Sequence, residues 1–183
     1  MPRPYLTVDT IRHEIEEINP QRYGSLDTVT SGVWSGILAL QFPIVQGYLS
    51  RPQQHQWVSE QGFWTDILVQ HTVDNRPRVF FVVMIRTGWS PSLEVTPGQL
   101  EDWTRHLSEY LDMTYGLRWR PNLARVYGAM VVGRGVRFFT YDIGEMEPML
   151  LDYQHYHVNY PFFDLVRDAE HVQIVLDEIR RRH

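Results

Sequence analysis

The residues best suited to chemistry fall on two neighbouring apolar segments. Phe63-Trp64-Thr65-Asp66-Ile67-Leu68-Val69 carries a single acid, and Val79-Phe80-Phe81-Val82-Val83-Met84-Ile85-Arg86 ends on a single cation. Their β-branched and aromatic content reads as two strands, and Asp74-Asn75-Arg76-Pro77 supplies turn chemistry between them. Side chains alternate across a strand, so Met84 and Arg86 share a face and pairing brings Asp66 towards it. A buried carboxylate costs several kcal/mol without a partner, which makes an Asp66–Arg86 ion pair the expectation.

Other candidates are more dispersed. His71, His106 or a tyrosine could act as acid or base towards a small molecule, with Trp64, Trp89, Trp103 and Tyr110 lining an apolar pocket. Aromatics beside a central strand and its covering helix are nevertheless more often core. His155 and His157 share a face if residues 153–160 are extended, which gives two metal ligands and no third. Glu14 and Glu17 belong to a solvated helix face. No metal site follows from the spacing.

Composition narrows the chemistry. The chain contains no Cys, which removes disulfides, thiolate zinc sites and cysteine nucleophiles. All 17 basic residues are Arg. Schiff-base chemistry and lysine general bases are therefore absent, because Arg stays protonated at physiological pH. A net charge of −5 disfavours sequence-independent binding to nucleic acid. At 43% hydrophobic and 13% aromatic residues, the chain is too apolar for disorder, and 183 residues fit one domain, 1–183. No signal-peptide pattern and no membrane-length apolar run is present, so an intracellular protein, cytoplasmic or nuclear, is expected. A protein partner or a small-molecule ligand fits this profile, whereas a membrane does not; the oligomeric state is not legible.

The supporting elements follow from periodicity. Thr7 to Asn19 reads as an amphipathic helix on Val8, Ile11, Ile15 and Ile18, stopped by Pro20. A second helix runs from about Leu26 to Gln41 with Val33, Trp34, Ile37, Leu38 and Leu40 as its apolar surface. Ile44 to Leu49 reads as a first strand, and Arg51 to Gln56 as a polar connection. Thr96, Pro97 and Gln99 form a helix start that Gly116 ends, with Leu100, Trp103, Leu107, Tyr110 and Leu111 on one stripe. Val126 to Val132 and Val136 to Tyr141 form a hairpin around Gly133-Arg134-Gly135. Asp142 to Asp152 is a loop or short extended connection. A last helix begins near Asp168 and ends in Arg180-Arg181-Arg182, whose charge complements the helix dipole.

The acid on one strand and Met84-x-Arg86 on the next resemble the core hairpin of the PD-(D/E)XK nuclease-like superfamily, which carries an acid and then acid-x-lysine. The chain also resembles uncharacterised fungal proteins in which an Asp-Leu-like strand precedes a Phe-Val-Val-Glu-x-Lys-like strand. Gln99 and Trp103 resemble the Q-x-x-x-Y feature of one branch, with Trp in place of Tyr. The resemblance spans roughly residues 25 to 142. It implies an α/β fold of the restriction-endonuclease type, with a central mixed sheet of about five strands flanked by helices. It also implies vestigial motif positions at Asp66, Met84 and Arg86, and binding positions at Gln99, Trp103 and Trp64. Met84 replaces the second acid, and a thioether is a poor ligand for hard magnesium. The helix before the first core strand has no Glu to supply a further ligand. The expected function is a degenerate nuclease-like domain acting as a binding or assembly module, without cofactor. The alternatives are a nuclease using magnesium or manganese with a migrated acid at Glu94, Glu101 or Asp102, and the small-molecule enzyme described above.

Overall fold

The computed structural model describes residues 4–18, 26–53, 64–73, 75–86, 95–115, 125–142, 149–152 and 162–183. Of the residues named above, Asn19, Pro20, Gln56, Phe63, Asp74, Trp89, Glu94, Gly116, His155 and His157 lie outside the described residues.

A short 3-10 turn, Pro4–Thr7, leads into α1 (Asp9–Glu17), which buries Ile11 and Ile15. The Tyr5 hydroxyl donates to the Leu165 carbonyl at 2.8 Å and ties this segment to the far end of the chain. Helix α2 (Leu26–Gln41) has the expected bounds and buries Val33, Trp34, Ile37 and Leu38, but it leaves Leu40 exposed.

The first strand differs from its expectation. Ile44–Gln46 forms a 3-10 turn, Gly47 takes φ 85°, and only then does β1 (Tyr48–Gln53) begin. A left-handed residue breaks strand geometry, and Gly47 adopts it without a Cβ penalty. Strand β1 therefore includes Arg51 and Pro52, which had the composition of a connection. It lies at the edge of the sheet, where a strand proline is tolerated.

Strands β2 (Trp64–Val73) and β3 (Arg76–Arg86) pair antiparallel, and every residue from Phe80 to Arg86 is buried. Helix α3 (Pro97–Tyr115) then carries the chain back, so that β4 (Arg125–Val132) runs parallel to β3. Such a return requires a crossover long enough to hold a helix. Strand β5 (Gly135–Asp142) turns back on β4. Strands β6 (Met149–Asp152) and β7 (Phe163–Asp164) both pair with β5, and α4 (Ala169–Arg181) ends the chain.

The result is an α/β fold on a mixed sheet whose first six strands lie side by side in chain order. Seven strands among the described residues exceed the expected five, because β6 and β7 are too short to show a period. Helices α1, α2 and α4 pack on one face, and α3 packs on the other. On the α3 face, Trp103, Leu107 and Leu111 meet Leu68, Val82, Met84 and Met130. No helix among the described residues is long and apolar enough to cross a membrane.

Candidate functional site

The register sets the site. Asp66 on β2 lies directly opposite Met84 on β3, and Arg86 lies opposite Trp64. Period-two alternation then puts Asp66, Met84 and Arg86 on one face, beneath α3. Their exposures are 1%, 3% and 5%, so all three belong to the interior.

Neither carboxylate oxygen of Asp66 has a hydrogen-bond partner. Burial raises its pKa from 3.8 to about 7, because an unsolvated carboxylate disfavours its charged form. The expected ion pair with Arg86 does not form. Arg86 is a diagonal neighbour of Asp66 rather than a facing one, and its guanidinium carbon instead lies 5.2 Å from the centre of the Trp103 ring. Burial lowers the Arg86 pKa, and the charge of Asp102 on α3 works in the opposite direction. A delocalised cation over an indole face is a favourable alternative to pairing across a diagonal.

Helix α3 positions the remaining candidates. Its start is the expected capping box: the Thr96 N–H donates to Gln99 Oε1 at 2.9 Å, and the Gln99 N–H donates to Thr96 Oγ1 at 3.3 Å. Gln99 is thus committed to capping the start of α3. Asp102 pairs with Arg105, and its Oδ2 lies 3.6 Å from His106 Nδ1. Glu101 is exposed. Trp103 and Tyr110 are buried in the packed layer between α3 and the sheet. Among the described residues, no three His, Asp or Glu side chains are grouped so as to hold a metal ion.

His71 belongs elsewhere, on the α2 and α4 face at the β2–β3 hairpin end. Its ring stacks on Tyr48 with centroids 4.4 Å apart, and its Nδ1 lies 3.0 Å from the backbone oxygen of His183. The His183 ring stacks on Phe80 at 4.5 Å and meets Tyr127 edge-on at 5.5 Å. Burial, followed by the charges of His71 and Arg182, lowers the His183 pKa from 6.5 to about 4. Sequence reasoning missed His183, since a residue after an arginine run carries no periodic signal.

No protein-family model matches this chain, and neither a curated protein nor a solved structure matches it.

Proposed function

We propose that this chain is a catalytically degenerate nuclease-like domain that serves as a binding or assembly module. The observation that carries the reading is Met84 directly across from a buried Asp66, at the register where the superfamily it resembles would hold its paired acids. A single carboxyl with a raised pKa beside a thioether supplies too few hard oxygen ligands for one or two divalent cations. Arg86 keeps the positive charge of the missing lysine but cannot transfer a proton. The packed environment of Trp103 and Tyr110 weighs against the aromatic-pocket enzyme.

The test is cleavage of single- and double-stranded DNA and RNA with magnesium or manganese. We expect no cleavage above that of Asp66→Ala. Metal-dependent cleavage that Asp66→Ala abolishes would overturn the reading in favour of the migrated-acid nuclease. Conversely, Met84→Glu should create an acid pair with Asp66 that binds manganese by calorimetry, while destabilising the fold by roughly 1–3 kcal/mol.

A further inference from the structure

A second surface lies roughly 16 Å along β2 from Asp66, at the hairpin end of the sheet. Four large apolar side chains are exposed among the described residues, and three of them fall within six consecutive positions between the end of α2 and β1: Leu40 at 44%, Ile44 at 72% and Val45 at 89%. Single exposed aliphatics are ordinary, but three at one corner mark a contact surface.

Arginines surround that corner. Arg180 Nη2 donates to Gln46 Oε1 at 2.8 Å, which joins the end of α4 to the turn carrying Ile44 and Val45. The Thr72 N–H donates to the Gly47 carbonyl at 3.1 Å, and His71, the neighbour of Thr72, has Arg78 as its register partner. His71 Nδ1 also lies 3.0 Å from the backbone oxygen of His183, so Arg76 and Arg78 of the hairpin and Arg180, Arg181 and Arg182 of the chain's last turn share this end of the sheet with the apolar turn. Glu178 pairs with Arg182, and the Asp177 carboxylate is held by Gln41 and Gln173. Among the described residues, the side chains of Arg76, Arg78 and Arg181 meet no carboxylate. The corner thus inverts the sign of a chain whose net charge is −5.

We propose that this corner docks an acidic segment of a partner protein, with apolar side chains of that segment seated on Leu40, Ile44 and Val45. Guanidinium forks match carboxylates in a bidentate geometry, and the aliphatic turn supplies anchors that a purely electrostatic contact does not need. An extended phosphate surface, nucleic acid or anionic bilayer, would repel the rest of this acidic molecule, whereas a short segment meets the corner alone. The inference rests on the binding-module reading and names its surface.

The test is fluorescence anisotropy with short labelled peptides of Glu and Asp carrying spaced Leu. The same peptides with Lys for the acids, all-acidic peptides without Leu, phosphatidylserine vesicles and a single-stranded oligonucleotide serve as comparisons. The acidic, Leu-containing peptides should bind saturably and more weakly as salt rises. Ile44→Ser with Val45→Ser, and separately Arg78→Gln with Arg181→Gln, should each weaken binding roughly tenfold at unchanged thermal stability. Four results would overturn the proposal: no saturable binding, equal binding of the Lys peptides, indifference to both sets of substitutions, or preference for vesicles or oligonucleotide. Failure here with an inert nuclease assay removes this surface alone. Metal-dependent cleavage with peptide binding retained removes the degenerate-nuclease reading alone.

Discussion

Asp66 and His183 are titratable groups in apolar surroundings, and they act on stability in opposite directions. The folded pKa of Asp66 lies above its unfolded value, so the unfolded chain loses its proton first. Stability should therefore fall as pH rises from 3.8 to about 7, by up to about 4 kcal/mol. Asp66→Asn should remove that slope, which denaturant titrations across the window would read. His183 has a folded pKa below its unfolded one, so the unfolded chain gains its proton first. Its contribution should be present above pH 6.5 and lost as pH falls through about 4. His183→Phe keeps a ring on Phe80 and should flatten the acid limb of the same titration. A variant with the unchanged acid limb would show that the titration of this imidazole is not what sets that limb.

At the level of elements, the close approach of α3 to the sheet is the feature most open to test. A Cβ built on Gly128 of β4 would lie 3.0 Å from Leu107 Cδ2, so the absence of a side chain there is what lets the helix sit down. Gly128→Val should cost roughly 1–3 kcal/mol by overpacking, measured by chemical denaturation. The same helix explains why the sequence was readable in this region. Thr96 and Gln99 cap it through local bonds, and Trp103, Leu107 and Leu111 fall on one stripe, so no distant information is needed. Ile44 and Val45 show the reverse case. Two β-branched residues carry strand propensity, but Gly47 turns the chain immediately after them, and tertiary placement leaves them in solvent.

At the scale of the whole molecule, a single mixed sheet is covered on both faces, and its edge at β1 carries two obstacles to pairing. Arg51 and Pro52 are both exposed there, one charged and one lacking a backbone donor. Arg51→Val with Pro52→Val should promote self-association, visible as a concentration-dependent increase in sedimentation coefficient. An unchanged coefficient would mean that something other than these two residues protects the edge.

The sequence by itself determined the bounds of α2, the cap of α3, the two hairpins and the shared face of Met84 and Arg86. Each of these follows from spacing or from turn and cap chemistry within a few residues, where covalent geometry leaves few choices. Only the tertiary structure decided the fate of the charges. Whether Arg86 answers Asp66 or lies over Trp103 depends on the β2–β3 register and on a helix that begins eleven residues later. The arginines of the hairpin and of α4 likewise become one surface only when residues about a hundred positions apart are folded together. Periodicity encodes which way a side chain points, while its charged or ringed neighbours are set by packing between distant segments.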